Sequence, residues 1–306
     1  MASPNVLSKF CSSINVQRTT LQHDLIAVLY YSTLKEIEIP PNWFPKRYYK
    51  RNLKSKPNFF FGIRIDDSSI LQQITEIQQQ IQRQFESRQS NMHKNNNLPI
   101  SMPFISPKKM HLTLFVMTIE SKDALEYLLN LFETRLGTFL KEQNLDRTFG
   151  DANELQLHLK GLNSFSEQVV YVEMIKDENI SKLFHFTLTL TNWLRNEMQQ
   201  FQLDQLPQNT VEFEKSDVGN RLKHNFHFHI DNKQFTPHVT IFKSRSSKTK
   251  LSKQNWEEFS DTSFGKQLVK EIELLEMQRM DEDGYYRRHA SINISTMQTK
   301  QIEKKL

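Results

Sequence analysis

Two stretches of this chain carry the same alternation. Residues Met110 to Val116 read M-H-L-T-L-F-V, and Gln234 to Lys243 read Q-F-T-P-H-V-T-I-F-K. Each sets a histidine and a threonine two residues apart among apolar neighbours, H-Φ-T-Φ-F with Φ apolar. On a strand, residues i and i+2 share one face while the residues between them share the other. The pattern therefore asks for two strands, each with an apolar side in a core and a His–Thr side on a cleft. A chain that repeats such a strand is constrained to two similar halves, each contributing one copy.

The rest of the chain agrees with that arrangement. F-F-F-G-I-R-I from Phe59 reads as a buried strand, and Asp66–Ser69 can cap a following helix that runs to about Arg88. Ile70, Leu71, Ile74, Ile77, Ile81 and Phe85 fall at three- and four-residue spacings, which predicts one buried stripe. After the first motif strand come a helix over 122–142, strands over 155–162 and 169–175, and a long helix over 177–201. F-H-F-H-I then predicts a strand before the second motif, a helix surrounds Trp256, and strands over 272–278 and 285–294 are joined by D-E-D-G. The expected fold class is α+β, two pseudo-symmetric lobes whose antiparallel sheets face a central cleft. The expected domain runs over 58–295, after an N-terminal extension (1–57) and before a C-terminal tail (296–306). The extension is expected to hold a helix over 21–38 and a basic linker.

Composition excludes several chemistries. Seven glycines in 306 residues, never closely spaced, leave no Gly-rich phosphate loop, so phosphate must be held by side chains. The single cysteine, Cys11, allows neither an internal disulfide nor a cysteine-rich zinc site and favours a reducing compartment. No apolar run approaches the length of a membrane span, and the start lacks a basic n-region or a glycine at position 2. The expectation is a protein without a membrane partner, cytoplasmic and/or nuclear. The run Lys46–Lys56 carries six basic residues and two tyrosines, and Lys243–Lys253 is basic again. Such runs suit a phosphate backbone with bases to stack on, or equally an import signal or solvated linker.

A bare His-x-Thr means little, and a third copy, His185-Phe-Thr187, shows why. Ile180, Leu183, Phe184, Leu188, Thr191 and Leu194 around it keep helical spacing, and on a helix positions i and i+2 do not share a face. The two strand-borne copies differ. His111 with Thr113, and His238 with Thr240, would meet around one point. Phosphodiester chemistry without a metal needs one neutral imidazole to accept a proton and one imidazolium to donate one. Threonine hydroxyls can donate to the non-bridging oxygens as charge builds on phosphorus. His227 and His229 share a strand face near His224, but Asp231 belongs to the D-N-K-Q turn and no cysteine is close. No metal site and no cofactor are expected.

The pair M-H-L-T-L-F and F-T-P-H-V-T-I-F resembles the signature of the two-histidine phosphoesterase superfamily, relatives of LigT-type RNA ligases and cyclic phosphodiesterases. Within it, the chain is most similar to the branch that contains the central nucleotide-binding domain of A-kinase anchoring protein 7. F-F-F-G-I-R-I with its helix, the spacing of the motifs and the closing I-E-L-L-E-M, G-Y-Y and S-I-N-I segments carry the likeness over about 58–294. The resemblance implies a bilobal α+β fold and metal-independent action on 2′–5′ or 2′,3′-cyclic phosphodiester bonds, or trimming of RNA 3′ ends. It implies His111 and His238 as the acid/base pair, with Thr113 and Thr240 on the phosphate. Lys243 matches a position often basic in the family, and Phe235 or Tyr286 would stack on a base. Expected partners are RNA, oligoadenylate or a nucleotide, with residues 1–57 open to a protein partner. No kinase-anchoring helix is evident. The rival readings are a non-catalytic nucleotide- or RNA-binding subunit using the same cleft, and a 2′–5′ ligase.

Overall fold

The computed structural model describes residues 56–92, 102–149, 155–204, 228–231, 235–244 and 250–302. Contacts divide the chain into Met1–Lys54 and Ser55–Leu306, and the second unit is the subject below. The expected helix over 21–38, nearly all of the basic run 46–56, the loop 207–221, His224 and His227 lie outside the described residues.

Strand β1 (Phe59–Arg64) is followed by helix α1 (Ser68–Met92), β2 (His111–Ile119), α2 (Lys122–Leu131) and α3 (Gly137–Glu142). A short α4 (Leu145–Phe149) leads to β3 (Gln156–Phe165), β4 (Val169–Met174) and α5 (Glu178–Asp204). Then come β5 (Phe228–Ile230), β6 (Val239–Lys243), β7 (Ser263–Leu268), β8 (Glu271–Met280), β9 (Tyr286–Asn293) and β10 (Thr299–Gln301). Among the described residues the strands form one sheet in the order β10-β9-β8-β1-β2-β6-β4-β3-β7, with β5 also on β2. All pairings are antiparallel. The two expected lobes are half-sheets, β10 to β2 and β6 to β7. They meet at a single register pair, Leu112 with Val239.

The three longest helices begin where the sequence offers a cap. Asp67 Oδ1 accepts from the Ser69 hydroxyl and from the backbone N–H groups of Ile70 and Ser69, and these bonds, the hydroxyl's foremost, hold its carboxyl below the usual range. Ser121 caps α2, and Asp177 accepts from Ile180 at the start of α5. From α1, Ile70, Ile74, Ile77 and Ile81 are buried, each contributing about 2 kcal/mol by removal from water. α1 follows β1 but packs against β7 in the other half, while α5 follows β4 and packs against both β5 and β3. Buried Gln78 of α1 donates to the carbonyls of Ile105 and Ile241, 2.9 Å each, pinning β6 from behind.

Three readings of the sequence need correction. Residues 296–306 were expected as a tail, yet Thr299–Gln301 pairs with Ala290–Ile292 as an edge strand. Its three polar residues carry no hydrophobic period. The helix expected around Trp256 is instead two 3₁₀ turns, Lys253–Asn255 and Glu257–Phe259. The strand after it, S-F-G-K-Q-L, buries only Phe264 and Gln267, too little apolar signal to announce a strand.

Candidate active site

Both motifs fold the same way, and the reason is local. In β2, Leu112 and Leu114 enter the core while His111 and Thr113 take the opposite face. In β6, Val239 and Ile241 are buried and Thr240 faces away from them. A bulge follows each threonine. Register jumps from Gly62↔Thr113 to Phe61↔Phe115, and from Tyr171↔Thr240 to Val170↔Phe242. The bulge gives each strand two consecutive core-facing residues, Leu114–Phe115 and Ile241–Phe242. That accounts for the Φ-F ending of both motifs. It also makes Val116 and Lys243 equivalent positions, so the cation is present on one side only.

The seam sets the four polar residues together. Antiparallel pairing of Leu112 with Val239 puts His111 abreast of Thr240 and Thr113 abreast of His238, roughly 5 Å apart across the strands. The two histidines lie on a diagonal of this square. Neither threonine hydroxyl is engaged by another described residue. Each imidazole is fixed by the chain just before its strand. His111 Nδ1 lies 2.7 Å from the carbonyl of Lys109, and His238 Nδ1 lies 2.7 Å from that of Thr236. A carbonyl only accepts, so each Nδ1 carries the proton, and a neutral ring presents an unprotonated Nε2.

Each ring is also walled by two aromatics. His111 meets Phe60 at 4.8 Å and Tyr286 at 5.1 Å between centroids. His238 meets Phe165 at 5.2 Å and Tyr171 at 5.3 Å. Burial among these rings pushes His111 down to about 4. The charges of His238 and Lys243 add to that, against the opposing bond to Lys109. Burial lowers His238 too, with Lys243 again contributing and the Thr236 carbonyl opposing. The free site thus favours uncharged imidazoles and, through exposed Lys243, an anion.

His111, Thr113, His238, Thr240, Lys243 and Tyr286 are therefore together. Phe235 is not among them. Its ring packs on Phe184 of α5, at 4.8 Å and 61°, against the core. Phe235 has the parity of Val239 and Ile241, the core face, and not that of His238 and Thr240, so alternation itself directs it away from the site. Phe60, Phe165 and Tyr171 were missed, because only the pairing of β1 with β2, of β4 with β6 and of β3 with β4 brings them to the imidazoles. His185 sits on α5, as its helical spacing predicts. No described helix is long and apolar enough to cross a membrane.

The chain is similar to known proteins over most of its length. A family model described as AKAP7 2′5′ RNA ligase-like domain matches residues 57–294. Among solved structures, TT0787 of Thermus thermophilus is similar at 12% identity and a TM-score of 0.40, over 78% of this chain and 98% of that one. E. coli LigT complexed with 3′-AMP is similar at 16% identity and a TM-score of 0.35, over 76% and 94%. A protein described only as a phosphoesterase is similar at 13% identity and a TM-score of 0.33, over 76% and 94%. The chain belongs to the AKAP7 2′5′ RNA ligase-like domain family, within the two-histidine phosphoesterase superfamily.

Proposed function

We propose that this chain is a metal-independent phosphodiesterase acting on RNA or oligonucleotide 2′–5′ or 2′,3′-cyclic phosphodiester bonds. The observation that carries the reading is the pair of imidazoles at the seam, each with Nδ1 committed to its own chain and Nε2 left for a ligand. Family membership supports phosphodiester chemistry in general, and the proton transfers follow from the residues. A phosphate on the four-residue square accepts hydrogen bonds from the hydroxyls of Thr113 and Thr240, while Lys243 supplies positive charge. Neutral His111 takes a proton at Nε2 from the attacking water or hydroxyl as its oxygen bonds to phosphorus. Imidazolium His238 gives its Nε2 proton to the departing ribose oxygen as the P–O bond breaks. The roles follow the acidities: the more deeply depressed group is the better candidate for the neutral partner, and the less depressed one for the charged partner.

The test is purified protein in EDTA against a panel of 2′–5′-linked adenylates, 3′–5′ dinucleotides and 2′,3′-cyclic nucleotides. Turnover of the first or last class is expected. Nucleotide binding with no product from any class would replace this reading with that of a binding subunit.

A further inference from the structure

The end of the β8–β9 hairpin does not simply extend the sheet. Met277 N–H donates to the carbonyl of Asn58, just before β1, so the residues after it would be expected to run on past that end of the strand. Asp283 instead reaches Arg64, the last residue of β1, at 2.8 Å. Six residues of strand, about 20 Å, separate those two ends. The turn 281–284 therefore folds back along β1, on the cleft face, where Arg64 pairs in register with His111.

Charges hold the turn there. Asp283 also lies 3.7 Å from Arg288, and the Asp281 side chain, 7% exposed, accepts from Arg288 Nε at 3.0 Å. Arg64 rests its guanidinium 4.4 Å from the centre of the Tyr285 ring. The carboxyl of Glu273 faces both arginines as well, but its buried Oε2 has no partner among the described residues. Both arginines are thus committed to the turn. The turn in its place touches both supports of the His111 ring. Tyr286 follows it and stands edge-on to His111, 5.1 Å away at 81°. Gly284 lies against the side chain of Lys108, where an added Cβ would come 3.1 Å from Cδ. Lys108 belongs to the 3₁₀ turn Pro107–Lys109, which ends in the carbonyl that holds His111 Nδ1.

We propose that Arg64 and Asp283 are positioning residues for His111: their ion pair clamps the turn 281–284 on the cleft face and thereby holds Tyr286 and the Lys109 carbonyl against the imidazole. The inference rests on the reading of His111 as the proton acceptor and adds how that ring is kept dry and in one orientation. The pair is partly exposed, at 29% and 37%, so it contributes little to stability as a contact. Its effect is on where the turn lies.

The experiment titrates the His111 imidazole by NMR in wild type, Arg64→Gln, Asp283→Asn and the double variant, beside pH profiles of kcat/KM for a 2′,3′-cyclic nucleotide. Thermal unfolding is the folding control. Bare charge effects would move the two single variants apart, because losing a nearby cation raises an imidazole's pKa and losing an anion lowers it. A shared clamp moves both the same way. Each single variant is expected to raise the His111 midpoint by roughly one pH unit as water reaches the ring, and to carry the acid limb with it. The double variant is expected to shift no further than either single one. Opposite shifts, no shift, or a double variant back at the wild-type midpoint would overturn the proposal. Midpoints that rise together in a protein without turnover would leave the clamp standing and remove the phosphodiesterase reading.

Discussion

With His111 held at about 4 in the free protein, roughly one molecule in a thousand carries that imidazole charged at pH 7. It cannot serve as the proton donor at that pH, but it is almost fully available as a base. The donor is then His238, itself depressed below 6.5 by burial and by Lys243. Since kcat/KM reports the free protein's acid and base, the pH profile must be a bell. Its acid limb rises near pH 4 as His111 loses its proton. Its alkaline limb begins below pH 6.5 as His238 loses the proton it must donate. Above that point activity falls about tenfold per pH unit. The assay is kcat/KM for a 2′,3′-cyclic nucleotide from pH 3.5 to 9 at constant ionic strength with EDTA. Lys243→Gln removes a charge that lowers both imidazoles, so both limbs move to higher pH even as substrate binding weakens. A profile flat from pH 6 to 8, or limbs unmoved in the lysine variant, would refute the reasoning.

Other perturbations follow from the same geometry. Thr113→Val and Thr240→Val keep the β-branch but lose a donor to the phosphate, so kcat should fall about 100-fold in each, more than any change in KM. Gly62→Ala places a Cβ 2.9 Å from Phe60 Cε2 and 3.2 Å from the Leu112 carbonyl. It should cost about 1–3 kcal/mol in urea unfolding and lower kcat by shifting the ring against His111. Glu273 is buried on β8, and burial raises its carboxyl to about 7. Its unfolded form ionises near 4.5, so its contribution to stability declines as pH rises from 4.5 to 7, by up to about 3 kcal/mol. Chemical denaturation of Glu273→Gln should show a gain over wild type that grows across that window and is constant above it. A gap that does not change with pH would contradict the assignment.

The parts of the fold visible in the sequence were those whose burial has a period. The isoleucines of α1 declare a helix, and H-Φ-T-Φ-F declares a strand with two faces. What stayed hidden depends on which strand lies beside which. Phe60 and Tyr171 reach the imidazoles only through cross-strand register, and no local pattern encodes register. The bulges after Thr113 and Thr240 were present in both motifs as a doubled apolar ending, a signal that could have been read. Phe235 failed for the converse reason: it belongs to the motif in sequence, but its odd position shares the parity of Val239 and Ile241, which face the core. The edge strands β7 and β10 bury too few apolar side chains to show any period.

The central claim is that His111 and His238 act as one acid–base pair, and a double-mutant cycle tests it most directly. His111→Gln, His238→Gln and the double variant are to be compared with wild type by kcat on one substrate in EDTA. The account predicts a loss of at least about 100-fold in each single variant and a double variant no slower than the worse single one. Full activity in either single variant, or losses that multiply in the double, would contradict it.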